Sequence, residues 1–422
     1  MKYSEIKIKD GIKLHLLETD KFKTNLISVI LTTKLGKDTV TKNALIPAIL
    51  RSGTAKYKSQ EEINKKLEEM YGATLDCGID KSGDNQVIKF YIESINDEFI
   101  NEENENMLEK SINLLLEVVF NPYLENNSFK KEYVKQEKNN LKQIIEGRTD
   151  NKAKYALDRC IEEMYKNKNF SLYKYGSIED LKEINEQNLY DEYISLINNC
   201  KIDILISGII DKNINEIVKN NEFIKQLNGR NAIYNHNKLE EKESKKENMV
   251  TESKEVIQGK LVLGLDVNIT DENDRFATIL YNAILGGSPD SKLFQNVREK
   301  ASLAYSASSS YYKLKNNIFI NCGIEIPNFE KALKIIREQI DDMKNGKFTD
   351  ENIENAKRVL ISEIDSIDDE QDTEITYVFS QELSFHEMDL EKYKKKILNV
   401  TKEDIINIAN KISINTIYFL KN

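Results

Sequence analysis

LGGSPDSKLFQNVREKASLAYSASSS, running from Leu285 to Ser310, is the most informative stretch of the 422-residue chain. Gly286 and Gly287 permit a tight turn, Ser288 suits a helix cap, and Pro289 with Asp290 fits the first turn of the helix that follows. Leu293, Phe294 and Val297 then form an apolar stripe, which leaves Arg298 at its margin. The alternating run beyond it predicts a strand carrying Tyr305. An arginine and a tyrosine are thus offered side by side. Taken singly, Arg298 beside Glu299 reads as a surface ion-pair residue, and Tyr305 as a half-buried strand aromatic.

Outward from this stretch the chain repeats an order of patterns. LAYSASSSYYKLKNNIFINCGIEI gives two alternating runs around Asn316 and Asn317, followed by the amphipathic helix PNFEKALKIIREQIDDM. Earlier, YGATLDCGIDKSGDNQVIKFYIESI gives two strands joined by a Gly/Asp/Asn turn, and an apolar-periodic helix follows from about Asn106 to Phe120. Each half then presents a charged helix, Phe129 to Glu146 and Thr349 to Ile364, and closes near a strand, KIDILISGII and INTIYFLK. Ser59 followed by Glu62 marks one helix start, and Thr349 before acidic residues marks another. The similarity is one of order rather than of letters. It predicts an α+β protein of two structurally similar domains, each a mostly antiparallel sheet covered by helices, over residues 1–225 and 259–422. NKLEEKESKKENMVTESKE, nearly devoid of apolar residues, predicts a solvated linker over 226–258.

With 40% hydrophobic and 31% charged residues, four prolines and no tryptophan, the composition is that of a helix-rich globular protein. A formal charge of -10 spread along the chain argues against nucleic acid and anionic membranes as partners, and leaves peptides and proteins. The amino-terminal segment shows no apolar core suited to a secretory signal, and no segment approaches a membrane span, so a cytoplasmic location is expected. Cys77, Cys160, Cys200 and Cys322 form no CxxC pair, which disfavours a disulfide framework or a thiolate cage. His15, His236 and His386 stand in no ligand spacing, and His386 with Glu387 lacks a second histidine at helical distance; each histidine reads as a surface or packing residue. No GxSxG elbow, phosphate loop or dinucleotide fingerprint is present.

The stretch around Arg298 and Tyr305 resembles the second-domain signature of the insulinase/pitrilysin/mitochondrial-processing-peptidase family, in which an "LFQ-VRE" helix precedes a "LAYS" strand. The first half resembles it too, through LRSGTAKYKSQEEINKKLEEMYGATLD. The resemblance implies a pitrilysin-like fold and makes Arg298 and Tyr305 the substrate-binding pair that faces a zinc site across a cavity. It also implies where the zinc should be. Active members place H-x-x-E-H on a helix just before the Gly-Thr dipeptide, and aligned on Gly53 and Thr54 those three positions are here Ala44, Pro47 and Ala48. None can bind zinc or move a proton, and Pro47 is expected to strain or shorten the helix unless it lies in the opening turn. The family's third ligand, counted from the pair resembling Glu137 and Lys138, falls on Ile144; Glu146 lies two residues on, where a slip of register would supply one ligand and not the others.

The resemblance therefore implies a chain with no catalytic residue, metal or cofactor of its own, most similar to the zinc-less pseudo-peptidases of low-GC Gram-positive bacteria. Those are encoded beside a zinc-bearing paralogue and associated with 5-aminopentanol modification of elongation factor P. The expected role is a non-catalytic, substrate-gripping subunit of a heterodimeric zinc metallopeptidase, whose partners are a zinc-bearing paralogous subunit and a peptide or protein substrate. A structural or peptide-binding scaffold is the alternative, and an independent hydrolase with an unrecognised site a third reading.

Overall fold

The computed structural model describes residues 2–100, 105–232, 234, 246–384 and 389–422. They group into two compact units that exchange segments: one takes Met1–Gly147, Leu172–Asn235 and Ile367–Ser380, the other Arg148–Ser171, His236–Ser366 and Gln381–Asn422. A division by chain order alone, at 226–258, has no place for this exchange.

The first unit is built on strands β1 (Lys2–Lys9), β2 (Ile12–Glu18), β3 (Thr24–Lys34), β4 (Thr74–Ser82), β5 (Asn85–Ile95) and, after the short pair β6 (Leu124–Glu125) and β7 (Ser128–Phe129), β8 (Lys201–Gly208). Six of them form a sheet in the order β1-β2-β8-β3-β5-β4, antiparallel throughout except for the parallel pair β2 and β8. Period-two alternation turns Ile27, Val29 and Leu31 of β3 and Ile202, Ile204 and Ile206 of β8 into one core. Helices Val40–Ser52, Met107–Phe120 and Glu186–Asn199 cover it. The late segment 367–380 is tied to the same sheet. The Gln371 amide donates to the carbonyls of Thr24 (3.0 Å) and Ser207 (2.7 Å), and the Ser207 hydroxyl donates to Glu374 (2.6 Å).

In the second unit β9 (Asn248–Ser253), β10 (Gly259–Val267), β11 (Ala304–Tyr312), β12 (Asn317–Ile324) and β13 (Ile412–Lys421) form a five-stranded sheet in the order β11-β12-β10-β13-β9. Here too a single pair, β13 and β9, is parallel. Five strands of the first sheet have counterparts in the second, and β1 has none: the edge hairpin β4–β5 matches β11–β12, β3 matches β10, β8 matches β13, and the parallel β2 matches β9. The repeat expected from pattern order is thus a repeat of topology, and the α+β class stands. The early helix Lys152–Met164 belongs to this unit, packing Cys160, Ile161 and Met164 against Val262, Phe319, Tyr418 and Leu420.

β9 lies inside the stretch expected to be linker, of which 233 and 235–245 fall outside the described residues. The strand escaped notice because, of its two inward positions, only Val250 is apolar and the other, Glu252, is a carboxylate. Glu252 accepts hydrogen bonds from the hydroxyls of Tyr155 (2.7 Å) and Tyr418 (2.8 Å) and from Arg159 Nε (3.0 Å). An inward residue satisfied in this way carries no apolar signal. The helix-start readings hold in part. Ser59 accepts from the Glu62 N–H (3.2 Å), but the Glu62 carboxylate reaches the Lys58 N–H (2.9 Å) rather than closing a capping box; Thr349 closes one with Asn352.

Candidate functional site

The segment expected to have held zinc is a packing helix. Val40–Ser52 buries Leu45, Ile46, Ile49 and Leu50, with Ala44 and Pro47 also buried. Pro47 neither shortens the helix nor sits in its opening turn: the helix continues to Ser52, whose hydroxyl donates to the Ala48 carbonyl (2.9 Å). Pro47 has no N–H for the Asn43 carbonyl one turn back, and burial of the flanking apolar residues offsets that missing bond. Arg51 follows Ala44 and Ala48 on the same face at i, i+4, i+7 spacing and pairs with Asp76 of β4. Asp76 also accepts the Cys77 N–H (2.8 Å). Burial pushes the Cys77 thiol up to about 11, the nearby Arg51 opposing this only in part, so at neutral pH it is neither thiolate ligand nor nucleophile.

Helix Lys131–Glu146 packs against this one and offers no replacement. Ile144 is 47% exposed, and Glu146 pairs with Lys142 (3.6 Å). Lys138, its pKa lowered by burial, donates to the carbonyls of Lys182 (3.3 Å) and Ile184. Among the described residues no group of three or more His, Cys, Asp or Glu could hold a metal ion, and no helix is long and apolar enough to cross a membrane. His15 is buried on β2, with Nδ1 3.0 Å from the Tyr3 hydroxyl and Nε2 3.0 Å from Asp203. Lys201 donates to both Asp203 oxygens (2.5 and 2.6 Å). Burial alone would raise the Asp203 pKa; Lys201 and His15 outweigh it and hold the carboxyl below its usual range. This is a satisfied interior network. His236, His386 and Glu387 lie outside the described residues.

The other expected site residues are placed quite differently. Ser288 does not cap a helix; its carbonyl accepts the Ser291 N–H (3.0 Å), and the segment Phe294–Lys300 winds as a π-helix rather than the α-helix that the spacing suggests. It closes with N–H donation from Ser302 to the Arg298 carbonyl (3.1 Å) and from Leu303 to that of Val297 (3.1 Å), Ser302 taking a left-handed φ of 52°. The wider i→i+5 turn is a rare geometry that concentrates at functional sites. Gly286 allows the close packing behind it: a Cβ there would stand 2.6 Å from the backbone nitrogen of Ser309 on β11. Arg298 extends from this helix with its side chain 41% exposed, its Cζ 4.4 Å from the centre of the Phe294 ring and its Nε 3.6 Å from Glu299.

β11, packed beside the π-helix, is an edge strand, and its register against β12 shifts between Ala304 and Ser306. Tyr305 is the residue at that bulge. A bulge re-aims its side chain, and Tyr305 is 75% exposed instead of half-buried in the sheet face. The structure thus sets Arg298 and Tyr305 on neighbouring elements with both side chains reaching solvent. A guanidinium with in-plane donors and a phenol can between them hold a peptide carbonyl or a developing oxyanion; they have no nucleophile, metal or general base to start a hydrolysis.

Comparison with known proteins identifies the family. The family profile described as "Peptidase M16 inactive domain" matches residues 154–360. Over 420 residues, 99% of this chain and 98% of the relative, the sequence is 37% identical to "Probable inactive metalloprotease YmfF" of Bacillus subtilis. It is 26% identical over 256 residues, 60% of this chain and 61% of the relative, to "Uncharacterized zinc protease YmxG" of the same organism. A crystal structure of a conserved protein from Enterococcus faecalis superposes with a TM-score of 0.88 at 26% identity, covering 100% of this chain and 98% of that one. The three histidines, at 15, 236 and 386, leave no H-x-x-E-H anywhere in the sequence. The chain belongs to the M16 peptidase family, the insulinase/pitrilysin family, as an inactive member without the zinc motif.

Proposed function

We propose that this chain is the non-catalytic, substrate-gripping subunit of a heterodimeric zinc metallopeptidase, paired in the cytoplasm with a zinc-bearing M16 paralogue and acting on a peptide or protein substrate. The observation that carries the reading is the exposure of Arg298 and Tyr305 on adjoining π-helix and bulged strand in a chain whose Ala44, Pro47 and Ala48 cannot bind metal. In such a pair the partner's residues would hold the zinc, which would supply Lewis-acid chemistry, while Arg298 and Tyr305 would donate to the substrate backbone and to the oxyanion as it forms. The resemblance to pseudo-peptidases encoded beside a zinc-bearing paralogue supports the pairing, and it extends the proposal to 5-aminopentanol modification of elongation factor P.

Reconstitution tests it. The purified chain alone should contain no stoichiometric zinc and cleave no peptide, whereas mixing it with the zinc-bearing paralogue should yield a complex with chelator-sensitive peptidase activity greater than that of the paralogue alone. A paralogue that neither binds the chain nor gains activity from it would leave a peptide-binding scaffold as the better account.

A further inference from the structure

Leu293 and Val297 are fully buried, as an apolar stripe requires, but Phe294 is only half-buried. Its ring face carries the Arg298 guanidinium at 4.4 Å. The i→i+5 bonding of the π-helix keeps residues four apart on one face, so the phenyl ring lies beside the guanidinium through the backbone geometry itself. Stacking on a ring face holds a guanidinium by its π-surface and leaves the in-plane N–H donors free, whereas pairing with a carboxylate occupies them. The contact to Glu299 (3.6 Å) is the weaker restraint, because both side chains are exposed and solvent screens them.

We propose that Phe294 is a positioning residue for Arg298: its ring fixes the guanidinium plane so that the outward donors are aimed at a substrate carbonyl before substrate arrives. This rests on the shared-site reading of Arg298 given above and assigns the residue that prepares it. An unstacked arginine has to be ordered at the moment of binding, and that entropy is then lost from transition-state stabilisation.

The test uses the complex with the zinc-bearing paralogue and a fluorogenic peptide that it cleaves. Phe294→Leu keeps apolar bulk and removes the aromatic face; Phe294→Tyr keeps the face. The expected result is a fall in kcat of about two- to fivefold for F294L, the range of an exposed cation–π contact. KM and affinity for the paralogue should be unchanged, and F294Y should restore the rate. The double variant F294L/R298A should be no slower than R298A. If R298A is slow but F294L matches wild type, or if F294L and R298A lower the rate additively, the positioning role is wrong and the shared site stands. Should R298A itself match wild type, both fall. In the isolated chain, the Arg298 Nε–Hε NMR resonance should be shifted by the ring current in wild type and F294Y and lose that shift in F294L. An unshifted wild-type resonance would overturn the proposal without reference to activity.

Discussion

The helix Val40–Ser52 and the π-helix Phe294–Lys300 arrange the polar groups around them in opposite ways. Around the first, polar groups turn to one another: Arg51 to Asp76, Lys138 to main-chain carbonyls, and, on the opposite face of the same sheet, His15 and Lys201 to Asp203. Around the second they turn to solvent, with the Arg298 guanidinium carbon over the Phe294 ring and Tyr305 lifted out by a bulge. The difference follows from what each chemistry needs. A zinc site requires several ligands and a base at once, so losing one removes the function and frees the rest to be repacked for stability. On the proposed shared-site reading, two hydrogen-bond donors at a surface would retain their use for as long as another chain supplied the metal.

The comparison implies that substitutions in the first region change stability and those in the second change turnover, and the largest expected effect tests its first half. Asp203→Asn leaves Lys201 buried beside a neutral partner, which should cost about 3–5 kcal/mol of stability in chemical denaturation. Turnover of the reconstituted complex, measured where the variant is folded, should not change. The pH dependence has a definite sign. Because the folded-state pKa of Asp203 is depressed, its contribution is fully present above the ordinary carboxylate range and is lost as pH falls through the depressed value. D203N should therefore flatten the acid limb of the stability curve, and an acid limb identical to wild type would show that the network does not stabilise the fold.

Arg298→Ala is the matching test of the second region. Loss of one oxyanion donor should lower turnover of the complex by about 2.7–4 kcal/mol, roughly a hundred- to a thousandfold. Denaturation midpoint and affinity for the paralogue should stay as in wild type. Tyr305→Phe, which removes only the hydroxyl, should have a smaller effect in the same direction. A stability loss in R298A with turnover intact would reverse the contrast between the two regions.

The sequence made the repeat legible because it is written in alternation and turn chemistry: the β4–β5 and β11–β12 hairpins fall where Gly83-Asp84 and Asn316-Asn317 put the turns. It singled out Arg298 and Tyr305 through the density of the motif around them, and the structure sets the two on adjoining elements with both exposed. Three features were not legible. The π winding of Phe294–Lys300 leaves no spacing signal of its own, and the close approach of β11 to Gly286 behind it pairs residues distant in the chain. The exposure of Tyr305 depends on a register shift that alternation cannot reveal. The exchange of 148–171 and 367–380 between units is fixed by long-range partners, Glu252 for Arg159 and Ser207 for Glu374, each an ordinary charged or polar residue in the linear chain.

Gly286→Ala probes the first of those features and should have an intermediate effect. The added methyl would meet the Ser309 backbone nitrogen at 2.6 Å and Leu293 Cδ1 at 2.9 Å, and backbone cannot yield as a side-chain tip can. Overpacking of this kind costs about 1–3 kcal/mol. Since the displaced elements carry Arg298 and Tyr305, turnover should fall along with stability. A wild-type denaturation midpoint for G286A would mean that this close approach does not hold the π-helix in place.

The smallest expected effect has the opposite sign and bears most directly on whether the first region retains any catalytic use. Pro47 stands inside helix Val40–Ser52 and cannot donate to Asn43, an arrangement that costs about 3 kcal/mol relative to alanine in a helix interior. Pro47→Ala would restore that donor and lose two buried ring methylenes, at about 0.8 kcal/mol each. The balance is a stabilisation of about 1 kcal/mol, or roughly 2–4 °C in Tm for a unit of this size. If the helix is now a packing element and nothing more, P47A should raise Tm and leave the kcat and KM of the complex untouched. A variant that is more stable yet slower would show that the proline-bearing helix still shapes the shared site, and the contrast between an inward structural half and an outward functional half would have to be withdrawn.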